Sequence, residues 1–166
     1  MIEGVEYFKA DYIKDNRGYL SKKFSSSNAR LRPFDLREVF ITSSKKGVIR
    51  GMHLQTGTSA NWRFINILRG ALYDVLLDLR KESSTYLEHR VQILEPGRVE
   101  SVLVPPGVAH GFQALEESQI LYLTSTEYNP ELDFGVNMNS LKIDFPLAVT
   151  AQSDRDMNLP KLSDFI

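Results

Sequence analysis

Apolar and polar residues alternate along this chain in short bursts, and few of them carry a helical period. The runs 39–42, 64–68, 72–79, 91–94, 101–104 and 120–124 are rich in β-branched and aromatic residues, the composition of strands. Turn signals separate them: Lys46-Gly47, Arg69-Gly70, Pro96-Gly97, Pro105-Pro106-Gly107 and Asn129-Pro130. Leu68-Arg69-Gly70-Ala71 reads as a tight link between two antiparallel strands. Many short strands with regular turns predict an all-β sandwich or barrel. Helix is confined to one turn at 27–31 and a short segment in the tail after Pro146. Residues 1–45 are more polar and lack a strong period, which suits an N-terminal arm and edge strands docking on a partner subunit. Residues 46–130 read as the barrel core and 131–166 as a C-terminal extension of the same single domain.

Composition narrows the picture. The 166 residues suffice for one domain with a real core. Twenty Lys and Arg against 21 Asp and Glu give a net charge of −1, so nothing here favours nucleic acid or an anionic membrane as partner. There is no cysteine, which excludes disulfides, thiolate metal sites and cysteine nucleophiles. The first residues are acidic, and no run approaches the ~18 apolar residues of a membrane span, so a cytoplasmic protein is expected.

Two of the three histidines stand beside glycine between β-forming stretches: Arg50-Gly51-Met52-His53-Leu54-Gln55 and Pro105-Pro106-Gly107-Val108-Ala109-His110-Gly111-Phe112. Imidazole titrates near neutral pH and is the usual side chain for moving protons. The spacing also fits the two motifs of a double-stranded β-helix, the cupin or jelly-roll barrel. Gly47 is followed by five residues and His53, Arg63 by six residues and Gly70, and Pro105, Gly107 and His110 complete the second motif. The metal-ligand set of that frame is broken, because Gln55 takes the second histidine position and Arg63 the glutamate position. A guanidinium has no lone pair to donate and repels a divalent ion.

Without a metal, Arg63 can still stabilise an enolate oxygen, while a histidine beside it removes the proton next to a carbonyl. Such a base needs a carboxylate to set its tautomer, and Asp74, Asp78, Asp144, Asp154 and Asp156 are all candidates. Tyr122, in the apolar run 120–124, could return a proton to the opposite face, which is what inverts a carbon centre. Each residue also has a plainer reading: Tyr122 as core, Arg63 as an ion-pair residue, His89 as a solvated strand residue. Asp74 and Asp78 would satisfy local backbone or arginine partners such as Arg80.

Several longer signatures together resemble the dTDP-4-dehydrorhamnose 3,5-epimerase family from about Asp15 to Pro160. They are Val48-Ile49-Arg50-Gly51-Met52-His53-Leu54-Gln55, Asp74-Val75-Leu76-Leu77-Asp78-Leu79-Arg80, Ser84-Thr85-Tyr86 and Ala109-His110-Gly111-Phe112. The resemblance implies a cupin-like isomerase that epimerises a nucleotide-linked 4-keto-6-deoxy sugar in deoxysugar biosynthesis, without metal or redox cofactor. It also implies a homodimer in which an N-terminal arm crosses over. It makes His53 the base, Asp156 its partner, Tyr122 the acid and Arg63 the counterpart of the family's enolate-steadying lysine. By the same likeness Arg17, Arg50 and Arg155 meet the pyrophosphate, and Gln55, His110 and Tyr128 line the sugar and nucleotide site.

The chain departs from that pattern at Tyr19-Leu20-Ser21-Lys22, at Arg63, at Glu38-Val39-Phe40 in place of a polar Gln-Asp-Asn, and at Met138-Asn139-Ser140. Most of these changes touch the sugar or base-reading region. The resemblance therefore bears on epimerase chemistry more than on thymidine as the nucleotide, and on neither C3 nor C5 alone. Alternatives are a nucleotide-sugar 3,4-ketoisomerase, against which Gln55 speaks, and a catalytically silent nucleotide-sugar binding cupin.

Overall fold

The computed structural model describes residues 1–31 and 34–166. Two five-stranded antiparallel sheets face each other. The first runs β1 (Glu6–Lys9), β9 (Val99–Val104), β6 (Arg63–Arg69), β11 (Ser118–Thr124), β4 (Glu38–Ser44). The second runs β12 (Asp133–Gly135), β5 (Ile49–Gln55), β10 (Val108–Ala114), β7 (Leu72–Asp78), β8 (His89–Leu94). This is the cupin sandwich that the strand pattern foretold. A hairpin of β2 (Tyr12–Asp15) and β3 (Gly18–Ser21) stands outside both sheets. Among the described residues the one α-helical segment is α1 (Asp154–Met157), and no helix there is long and apolar enough to cross a membrane.

The period of two along each strand sorts its side chains between faces. On the inner faces Ile65, Ile67, Val102, Val104 and Ile120 of the first sheet meet Leu72, Leu76, Val108 and Phe112 of the second. The outer faces are also covered. Leu31, Phe34 and Trp62 pack on Phe64, Leu103 and Leu123, while Val136, Met138, Phe145 and Phe165 pack on Met52, Leu54, Val75 and Leu77. Strands buried on both faces lose polar alternation, so 75–77 and 102–104 read as continuous apolar runs. Fully burying each such aliphatic side chain contributes about 1.5–3 kcal/mol.

The same parity sends polar side chains inward at one end of the sandwich. Arg63 of β6, Tyr122 of β11 and Thr42 of β4 come from one wall, and His53 of β5, His110 of β10 and Asp74 of β7 from the other. The link 68–71 is tight but is not a hairpin: β6 pairs with β9 and β11, whereas β7 pairs with β8 and β10. The chain turns a corner between sheets at Gly70, at φ +82°, packed so closely on Glu117 and Ser118 that a Cβ would collide with both.

The N-terminal segment contributes β1 to the edge of the first sheet. Its hairpin is tied down through buried Glu100, which accepts from the Tyr12 hydroxyl at 2.6 Å and pairs with Lys23. Ile13, Tyr19 and Leu20 of that hairpin remain exposed. At the other terminus Ala151 forms a bridge with Val48 and accepts from the Ile49 amide, so the tail runs beside the start of β5. Ser153 then caps α1 by accepting the Asp156 amide at 3.1 Å.

Candidate active site

The polar end of the sandwich opens into a cavity of about 580 Å³. Nine of the predicted site residues line it: Arg50, His53, Gln55, Arg63, His110, Tyr122, Tyr128, Arg155 and Asp156. Arg17 does not. It sits at the turn of the projecting hairpin with its side chain 85% exposed, and its charged contact is Asp15 at 2.5 Å.

Strand β5 delivers His53 because Gly51 lets it approach β10 closely. Gly51 has φ +99°, and a Cβ there would lie 2.7 Å from both Gly111 Cα and the His110 carbonyl oxygen. The neighbouring Gly51–Met52 peptide bond is cis. His53 Nε2 donates to Asp156 Oδ1 at 2.8 Å, and Asp156 Oδ2 accepts the Gly51 amide at 2.9 Å. Of the five carboxylates open to choice in the sequence, Asp156 is the one that meets His53. Burial disfavours its charge, but hydrogen bonds from His53, Gly51 and Ser153 outweigh that and hold the carboxyl below its ordinary range. With Nε2 bearing the proton, the lone pair lies on Nδ1, which is shielded from solvent and has no hydrogen-bond partner.

The second histidine has its own carboxylate. His110 Nε2 and Asp74 Oδ1 are 2.6 Å apart, both side chains buried. Asp74 was expected to serve a local backbone group or an arginine such as Arg80. Strand parity turns it inward instead, toward His110 on the adjacent strand, and Asp78 takes Arg80 at 2.7 Å.

Arg63 is buried, not a surface residue. Its Nη1 donates to the His53 carbonyl at 2.8 Å and its Nη2 to the Val108 carbonyl at 2.5 Å, while Nε has no partner. Burial pushes the guanidinium down to about 10, opposed by Tyr122, Asp133 and Asp74, so it remains a cation at neutral pH. Tyr122 stands beside it on the same wall, on the neighbouring strand β11. Burial raises this phenol, Asp74 adds to the effect, and Arg63 and Arg50 pull against it, so the hydroxyl keeps its proton near neutrality. Gln55 and Arg63 occupy the positions where a metal cupin needs donors. Among the described residues no three His, Asp or Glu side chains converge to hold an ion.

Toward the mouth, Arg50 is braced by Ser44 Oγ at 2.9 Å and the Ser43 carbonyl at 3.1 Å, and Gln55 accepts the Asn129 amide at 3.0 Å. Arg155 and Tyr128 converge on Asp133 Oδ2, at 2.5 and 3.0 Å, and Asp133 Oδ1 lies 3.8 Å from His53 Nδ1. Asp133 escaped the sequence reading. It belongs to a three-residue strand whose Gly135 lies opposite His53, and neither composition nor spacing marks it.

Known proteins resemble this chain in sequence and in fold. The family model described as dTDP-4-dehydrorhamnose 3,5-epimerase matches residues 1–164. A dTDP-4-dehydrorhamnose 3,5-epimerase of Methanothermobacter thermautotrophicus is 30% identical over 171 residues, spanning 98% of this chain and 92% of its own. A dTDP-4-dehydrorhamnose 3-epimerase of Streptomyces niveus is equally similar, 30% identical over 171 residues, spanning 98% of this chain and 82% of its own. The crystal structure of dTDP-4-dehydrorhamnose 3,5-epimerase from Sulfolobus tokodaii matches with a TM-score of 0.90 and 31% identity, over 97% of this chain and 92% of that one.

Proposed function

The chain belongs to the dTDP-4-dehydrorhamnose 3,5-epimerase family, and from that premise we propose that it inverts a carbon next to the C4 ketone of a dTDP-linked 6-deoxy sugar by metal-independent proton transfer. The activity is that of an isomerase, a dTDP-sugar epimerase of deoxysugar biosynthesis. The observation that carries the mechanism is the placement of a histidine–carboxylate pair and a protonated phenol on opposite walls of one cavity, with a buried guanidinium beside them.

His53 removes a proton from C3 or C5, and the C–H electron pair moves into the ring while the carbonyl becomes an enolate. Asp156 holds the Nε2 proton, keeps the other nitrogen free and stabilises the imidazolium that forms. That nitrogen has no hydrogen-bond partner here, and catalytic contacts of this kind tighten when substrate binds. The Arg63 charge, undiluted by solvent, stabilises the enolate oxygen. Tyr122 returns a proton to carbon from the opposite wall, which reverses the configuration. The phenolate and imidazolium then exchange protons with solvent. Arg50 and Arg155 are the cations available for a diphosphate, Arg155 by leaving Asp133. Gln55, His110 and Tyr128 are read as contacts to sugar and nucleotide.

The same reading makes the protein a homodimer. Arg17 is too far out on its hairpin to serve its own cavity, and exposed Ile13 and Leu20, paired across the two strands, give that hairpin an apolar face for a second copy. Arg17 would then meet the diphosphate in the partner's cavity.

The test is deuterium incorporation from D₂O into dTDP-4-keto-6-deoxyglucose, followed by NMR. Wild-type protein should incorporate label next to the ketone, and His53→Ala should stop it while leaving the melting temperature within a few degrees, about 1 kcal/mol. Label incorporation by His53→Ala at the wild-type rate would place the base elsewhere.

A further inference from the structure

We propose that Phe40 is a positioning residue for Tyr122, holding the phenol in one orientation so that proton return reaches only one of the two carbons flanking the ketone. This rests on the reading of Tyr122 as the acid. Phe40 and Tyr122 stand directly opposite each other on β4 and β11. Their rings are 4.9 Å apart and 6° from parallel, and both line the cavity. The His110 ring meets Tyr122 edge-on at 6.1 Å and 64°, and Asp74 in turn fixes His110. The phenol is therefore stacked on one aromatic ring and abutted by another.

A tyrosine hydroxyl lies on the axis of its own ring, so spinning the ring does not move it. Only a swing about the Cα–Cβ bond does, and that swing must take the ring off Phe40. C3 and C5 of the sugar are both bonded to C4 and so lie about 2.5 Å apart. Proton return to an enolate carbon runs along that carbon's π orbital, perpendicular to the enolate plane, so a donor aligned over one carbon must shift by about 2.5 Å to align over the other. Stacking on Phe40 opposes that travel. Overall similarity does not decide the matter, since relatives at equal identity include an epimerase named for two carbons and one named for a single carbon. Phe40 also stands outside the three core clusters and is 39% exposed on an edge strand, so its removal tests position more than folding.

The experiment follows C3 and C5 deuteration separately, with wild type, Phe40→Ala and Phe40→Tyr acting on dTDP-4-keto-6-deoxyglucose in D₂O. Wild type should label one carbon at least about tenfold faster than the other, the equivalent of one decade in relative barrier. Phe40→Ala should bring the two rates within about threefold, and Phe40→Tyr, which restores a flat ring, should recover the preference. A loss of stability alone would slow both carbons together and leave their ratio unchanged. Matched rates in wild type, or a wild-type ratio in Phe40→Ala, would overturn the proposal and leave the epimerase reading intact. No label at either carbon would overturn both.

Discussion

Replacing Asp156 by asparagine changes one atom type and tests the base directly. The carboxylate accepts from His53 Nε2 at 2.8 Å and from the Gly51 amide at 2.9 Å, in a buried position. Asparagine can keep only one of these. If its carbonyl stays on Gly51, its NH₂ group faces His53 and the imidazole must present a lone pair there, which moves the ring proton to Nδ1. The nitrogen meant to receive the sugar proton is then occupied, and the charge that stabilises the imidazolium is gone. Loss of both effects at a histidine–carboxylate pair costs about 10³–10⁴ in kcat, or roughly 4–5.5 kcal/mol. Stability should fall far less. One charge-assisted hydrogen bond of about 1.5–3 kcal/mol is replaced by a neutral one, for a net loss of about 1–2 kcal/mol. Its pH dependence also has a sign. The folded carboxyl is held below its ordinary value, so its contribution is full above the ordinary carboxylate range and is lost as pH falls through the depressed value. The variant should lack that part of the acid sensitivity. Deuterium incorporation gives the rate, and urea unfolding at neutral and acid pH gives the stability. An Asp156→Asn protein that retains more than about a tenth of wild-type kcat would show that this carboxylate does not govern the base.

Two further outcomes follow from the buried charges. Arg63→Lys keeps the cation, but its ammonium is a single point on a shorter side chain and does not span the carbonyls of His53 and Val108 as the planar fork does. One buried acceptor is left unpaired, at about 1–3 kcal/mol in urea unfolding, and equal stability of the two proteins would contradict the pairing described. At Asp78, burial raises the carboxyl but Arg80, Ser83 and Thr85 more than compensate, holding it at about 2. A depressed folded-state value means that stability is lost as pH falls from about 4 toward 2. After allowance for solvent screening the loss is on the order of 1–2 kcal/mol, and Asp78→Asn should abolish it; an unchanged acid limb in that variant would refute the assignment.

Six strands, β4, β6, β7, β8, β9 and β11, were readable because each is short and apolar between turn residues; β5 and β10 were marked only by their histidines, and β1, β2, β3 and β12 by no comparable run. The 68–71 link is as tight as it reads, but it crosses from one sheet to the other. A two-residue turn in a sandwich can return along the same sheet or cross to the other one, and local sequence is the same for both. The partner of His53 was likewise open. Asp74 and Asp78 share a strand face, yet one meets His110 and the other Arg80, because Asp74 faces β10 across the sheet whereas Asp78, at the end of β7, bonds back to the residue two positions on in the following turn.

Residue types and their spacing were enough by themselves to predict an all-β barrel and the frame that brings His53, Arg63 and His110 to one cavity. Pairing was beyond them. Asp156 reaches His53 from 103 positions away because the tail bridges onto β5, and Asp133 stands between Arg155 and His53 because β12 lies against that same strand. Phe40 meets Tyr122 through the register of β4 on β11. Periodicity tells which face of a strand a side chain occupies. Only the packing of strands distant in sequence decides what stands across from it, and the chemistry depends on that.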